Sequence, residues 1–180
     1  MTRHWVAVIG AVDGLRWVLG NSRMAFTEGM VHRSSGIDRG DGLIVYVSRG
    51  AFHNPHRDVS QVVAVARIES PPVSLRRPLK IAGRTFVVKC DLSIESSLPE
   101  RGGVPIKPLV ARLHLVKHPE AWGQYFRQGL IEIDEQDFRF LARQVRTWAA
   151  MLGKSTQVSE AQEIGFDSPD VPLGQPVVKT

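Results

Sequence analysis

Apolar residues in this chain arrive in short runs rich in Val, Ile and Trp, each broken by Gly or Pro, and only one stretch sustains a helical period. Such runs suit strands better than helices. HWVAVIG (4–10) reads as a buried strand, LIVYV (43–47) as a second after the turn Gly40-Asp41-Gly42, and QVVAVARIES (61–70) as a third, ended by Pro71-Pro72. PVSLRRPLKI and RTFVVKCDLSIE (84–95) form a pair across a turn at Ala82-Gly83, and GLIEI (129–133) is a last short strand. Asp13 is expected to cap a short helix through Leu19, closed by Gly20 and Asn21. Residues 21–42 show no sustained period and several glycines, so they are expected to be mostly loop. Pro105 and IKPLVARLHLV suggest a short outer helix.

The clearest helix starts at Asp134, an N-cap with Asp137 three positions on, and carries Phe138, Leu141, Val145, Trp148 and Leu152 as a stripe for the core. Arg139, Arg143 and Arg146 then fall on its outer face. From Gly153 the apolar period stops, so residues 1–152 are expected to form one folded domain and 153–180 a polar, disordered tail. Five or six short strands with about three helices indicate an α+β domain on a curled mixed sheet or small barrel.

The 180-residue length suits a single core. No apolar run approaches the ~20 residues of a membrane-spanning helix, and the start MTRHWVAVIGAVDG is too short in apolar residues for a secretory signal. A single cysteine, Cys90, excludes an internal disulfide framework and a thiolate metal cluster. A cytoplasmic chain is expected. Net charge is +5; residues 153–180 hold two lysines against four acids, which leaves +7 on residues 1–152. A basic domain attracts polyanions, of which nucleic acid is the commonest in cytoplasm.

Catalytic patterns are thin. His53-Asn54-Pro55-His56 offers two imidazoles with Asp58 nearby, an incomplete metal site without distant partners. Ser48 has no GxSxG elbow, and neither GxGxxG after a strand nor GxxxxGK[ST] occurs. No metal, no cofactor and no enzyme activity is expected. The segment HPEAWGQYFRQGLIEI (118–133) is more telling: Trp122 and Tyr125 or Phe126 are three and four apart, with Arg127 beside them. Such a corner either anchors a core or stacks on a flat ligand, and Trp5 carries the same ambiguity.

Taken together, HWVAV, GDGLIVYVS, VPIKPLVARLHLVKHPEAWGQYFRQGLIEIDEQDF and the late amphipathic helix resemble bacterial EVE-domain proteins of the UPF0310 type. The resemblance covers roughly residues 3 to 147, and the late segment is its most specific part. It implies a PUA-like fold related to the YTH readers of methylated adenosine: a curled, mixed β-barrel with flanking helices. It further implies a non-enzymatic module that binds one modified base, 5-methylcytosine, 5-hydroxymethylcytosine or similar, flipped from DNA or presented by RNA. Carried over by position, the ligand residues implied are Trp5, Phe26, His32, Tyr46, Ser48, Phe52, Trp122, Tyr125, Phe126, Arg127 and Gly129. The chain has Tyr-Val-Ser at 46–48 where many members have Tyr-Tyr-Ser. Arg33, Arg39, Arg49, Arg57, Arg139 and Arg143 are the candidates for the nucleic-acid backbone, and the protein is expected to be a monomer away from membranes. Two rivals stand beside this reading: a sensor of a small nucleobase-like molecule, and a hydrolase or nuclease using His32, His53 and His56.

Overall fold

The computed structural model describes residues 1–163, with side chains to residue 153. Its centre is a parallel pair, β1 (His4–Ile9) and β3 (Gly42–Val47), with Trp5 opposite Leu43 and Ile9 opposite Val47. On one side β8 (Leu130–Ile133) runs antiparallel to β1; on the other β4 (Gln61–Ile68) runs antiparallel to β3. Next comes β6 (Arg84–Ser97), whose later half pairs with β4 while its earlier half pairs with β2 (Arg23–Phe26) and β5 (Val73–Ile81). One long strand serving two sets of neighbours bends the sheet on itself. The order is β2-β6-β4-β3-β1-β8, with the two-residue β7 (Val104–Pro105) beside β4. The result is a mixed sheet curled into a half-barrel with flanking helices.

Every residue of β3 is buried, because the sheet is covered on both faces. Trp5, Ala7, Leu43 and Val45 join a cluster with Leu15, Phe26 and Met24 inside the curl. Their neighbours Val6, Ile44 and Tyr46 point the other way, against Phe126, Leu141 and Val145. Period-two alternation across a doubly covered sheet explains why these strands read as unbroken apolar runs. Truncating a fully buried member such as Ile44 to Ala costs about 2–5 kcal/mol.

The stretch 21–42 is more ordered than its lack of period suggests. It holds β2, a 3₁₀ turn at Glu28–Met30 and α2 (Val31–Ser34). Met24, Ala25 and Phe26 are consecutively buried, so β2 shows no alternation, and β6 supplies its register. Asp13 is not the cap of α1 (Val12–Asn21): Ala11 occupies that position without a side-chain bond, and Asp13 sits in the first turn, 3.5 Å from Arg16. The helix also passes Gly20 and stops at Ser22, which is left-handed and donates its N–H to the Val18 carbonyl. Ala82 and Gly83 both have positive φ, the backbone a tight two-residue hairpin requires.

Residues Met1–Ala149 form one compact unit and a second begins at Ala150. The last helix, α3 (Glu135–Glu163), continues ten residues beyond Gly153, so helix extends into the first part of the expected tail; residues 164–180 lie outside the described residues. Phe138, Leu141, Ala142 and Val145 make the buried stripe of α3. Trp148 and Leu152 are each 40% exposed, a departure from the five-residue stripe expected.

Candidate functional site

Two clefts meet at one wall. The chain leaves β1 at Gly10 and β3 at Ser48, side by side because those strands are parallel, and the Ser48 N–H donates to the Ile9 carbonyl at 3.1 Å. A 3₁₀ segment, Pro119–Arg127, precedes β8 and brings Phe126 and Arg127 to the same level. The first cleft, about 680 Å³, lies between these strand ends, α1, the 28–30 turn and the tip of the β5–β6 hairpin. Trp17, Met30, Phe86 and Phe126 provide its apolar walls, with Thr27, Ser48, Arg84 and Arg127 as side-chain polar groups. The second, about 940 Å³, opens beyond Phe126 and is bounded by Tyr46, Arg49, His56, Lys107 and Trp122. Both volumes fall in the range of small-ligand sites.

Packed aromatic rings make up the shared wall. Phe126 is 5% exposed, stacks on Tyr46 at 4.7 Å and 19°, and meets Trp122 edge-on at 6.1 Å. Tyr46 is itself buried, which pushes its phenol pKa up, and the opposing hydrogen bond to Ser60 is the smaller influence. Gly129 follows: a Cβ there would stand 2.8 Å from the Met30 sulfur, so glycine lets Met30 close the floor of the first cleft. Arg127 is exposed and borders both clefts.

The residues singled out from sequence therefore separate. Ser48, Phe126 and Arg127 line both clefts, Gly129 the first, Tyr46 and Trp122 the second. Trp5 and Phe26 are core residues, 3% and 0% exposed; Trp5 donates its Nε1–H to the buried Asp41 at 3.0 Å. Phe52 is buried beneath the Arg101 guanidinium, 4.7 Å from its ring centre. Tyr125 accepts the His118 N–H through its hydroxyl, and His32 is exposed on α2; neither lines a cleft. These five positions therefore stand outside both clefts, and Phe52 borders a separate cavity with Arg57, Asp58 and Arg101. Trp17 and Met30 went unnoticed, and the only sequence signal was an aromatic on the face of a short helix.

Of the proposed backbone arginines, Arg33 donates to the Leu130 carbonyl, Arg39 lies 3.9 Å from Glu69, Arg57 3.0 Å from Asp58 and Arg139 2.6 Å from Glu135. Arg49 reaches the second cleft, and Arg143 stands exposed on α3. Among the described residues the one triad with metal-donor spacing is His114, Asp134 and Asp137, away from His32, His53 and His56. Both Asp137 oxygens there accept backbone N–H groups, from His114 and Leu115 at 2.8 Å, so the triad is a hydrogen-bonded latch.

No protein-family model matches the chain. A 41-residue stretch is 42% identical to the UPF0310 protein in gntR 5'region of Bacillus licheniformis, taking in 23% of this chain and 28% of that protein. Among solved structures, the YTH domain-containing protein mmi1 and RNA complex is similar with a TM-score of 0.56 at 9% identity, over 80% of this chain and 81% of that one. The fold is YTH-like. Rpa0253 from Rhodopseudomonas palustris is similar with a TM-score of 0.50 at 14% identity, over 81% of this chain and 94% of that one. At these identities the likeness is one of fold, the curled sheet with flanking helices expected from sequence.

Proposed function

We propose that this chain is an EVE-type reader: a non-enzymatic module that binds DNA or RNA through one modified base held in the first cleft. The observation that carries the reading is the cleft itself, which sets apolar walls, the aromatic Trp17 and Phe126 with Met30, against the polar Thr27, Ser48 and Arg127. Support comes also from the fold, shared with a domain solved in complex with RNA, and from the basic domain charge. Extruding a base costs a few kcal/mol. Stacking offsets it by about 1–3 kcal/mol per base, and polar contacts to the base edge add to that. A buried methyl group adds only about 0.8 kcal/mol, so the modification is read with modest discrimination unless a hydrogen bond joins it. Members of the 5-methylcytosine and 5-hydroxymethylcytosine class fit a wall of this mixed character.

The test is binding to matched DNA and RNA oligonucleotides, unmodified and carrying 5-methylcytosine, 5-hydroxymethylcytosine or N6-methyladenine, at two salt concentrations. A preference for one modified oligonucleotide is expected, and Trp17→Ala should reduce that affinity about 5- to 150-fold, the loss of one stacking contact. Trp122→Ala should weaken it less, because Trp122 lines the other cleft. Equal, salt-sensitive binding to every oligonucleotide would reduce the protein to a basic nucleic-acid binder. No binding to any would favour the sensor of a free heterocycle.

A further inference from the structure

From Ser70 to Cys90 the chain carries Arg76, Arg77, Lys80, Arg84 and Lys89 and not one acidic residue. That segment is β5 with the part of β6 that pairs with it, and Lys89 at its end lies 3.5 Å from Asp91. Elsewhere exposed cations commonly sit against carboxylates: Arg16 on Glu100 at 2.8 Å, Arg23 on Asp91 at 2.9 Å, Arg67 on Glu95 at 3.0 Å. Arg76, Arg77, Lys80 and Arg84 are exposed and have no acidic partner among the described residues.

The backbone pushes two of them outward. Val73 and Ser74 face Lys89 and Val88, but Leu79 already faces Phe86, so residues 75–78 have only Val87 across from them. The surplus chain bulges at Arg76-Arg77 and closes on Pro78, which has no N–H to give the ladder. Past the bulge, the tip carries Lys80, and Ile81, Ala82, Arg84 and Phe86 border the first cleft. A bulge, a proline and a lysine also protect an edge strand, and β5 pairs with β6 alone. Edge protection needs one or two charges, however. It does not call for removal of every acid from residues 70–90, nor for placing the charge beside a cleft.

We propose that the β5–β6 hairpin is a phosphate-binding arm, with Arg76, Arg77 and Lys80 holding the backbone of a nucleic-acid strand that flanks the first cleft and Arg84 at the rim. This rests on the reading of that cleft as a base site. The experiment compares the full chain with the triple variant Arg76→Gln/Arg77→Gln/Lys80→Gln on short single-stranded DNA and RNA, modified and unmodified, across a salt series. Each phosphate neutralised on a single strand contributes about 0.7 to the slope of log affinity against log salt, so losing three contacts should lower the slope by about 2. Affinity at low salt should drop about 10- to 100-fold by the same factor for modified and unmodified strands. Thermal melting of the variant should match the parent, since all three side chains are exposed, and Arg146→Gln, whose partner is Glu95, should leave the slope unchanged.

An unchanged slope with base preference intact overturns the arm and leaves the reader standing. A reduced slope in a protein with no base preference keeps the arm and removes the base reading. A variant that aggregates without a change of slope assigns the charges to edge protection, and a chain that binds no oligonucleotide loses both proposals.

Discussion

Cys90 lies fully buried on β6, opposite Met24 of β2, and burial pushes its thiol pKa up to about 12. The thiolate is the reacting form, so a thiol reagent at about pH 8 should leave the native protein unlabelled and label it after unfolding. Fast labelling of the native chain, followed by mass spectrometry, would mean that the β2–β6 seam opens. Residues of this kind were legible from their type and setting. So was the group Trp122, Phe126 and Arg127, because its members are neighbours in the chain. Trp17 and Met30 were not, since each reaches the first cleft from a different element. Trp5 was ambiguous for a related reason: the carboxylate that satisfies its N–H belongs to Asp41, far along the sequence.

At the scale of elements, the start of α3 shows what a local pattern can and cannot reveal. The spacing Asp134 to Asp137 announces the cap, and the Asp137 N–H does donate to the Asp134 carboxylate at 2.8 Å. That Asp137, 1% exposed, also receives the N–H groups of His114 and Leu115 is invisible in sequence. Asp137→Asn turns one acceptor into a donor aimed at a backbone N–H. It should destabilise the fold by about 2–3 kcal/mol in urea titration, and a loss under 1 kcal/mol would mean the loop relaxes. The hairpin divides in the same way. Its turn at Ala82-Gly83 was readable, whereas the register slip that lifts Arg76 and Arg77 is a property of two strands together.

For the molecule as a whole, stability should depend on pH through His4. Its ring stacks on Phe138 of α3 at 4.4 Å and 11°, and the buried Nδ1 has no hydrogen-bond partner among the described residues. Desolvation lowers its pKa and outweighs the carboxylates of Glu135 and Asp41, while Arg139 and Arg67 lower it further. The unfolded state therefore binds the proton first. Stability should be complete above the ordinary histidine value, about pH 6.5, and fall as pH drops through the window below it. His4→Phe keeps the stack and removes the titration, so its denaturation midpoint should be flatter than the parent's between about pH 7 and pH 5. Equal slopes in the two proteins would assign the effect to other groups.

Sequence by itself determined the short buried strands, the late helix and its cap, the tight hairpin turn and the basic charge, since each rests on period, turn chemistry or composition within a few residues. Tertiary structure alone decided which aromatics face a cleft, because that depends on strands from opposite ends of the chain lying parallel and on one long strand bending the sheet. It likewise decided which cations are free. Pairing is set by whichever carboxylate the fold brings near, and among the described residues the fold brings none to Arg76, Arg77, Lys80 or Arg84.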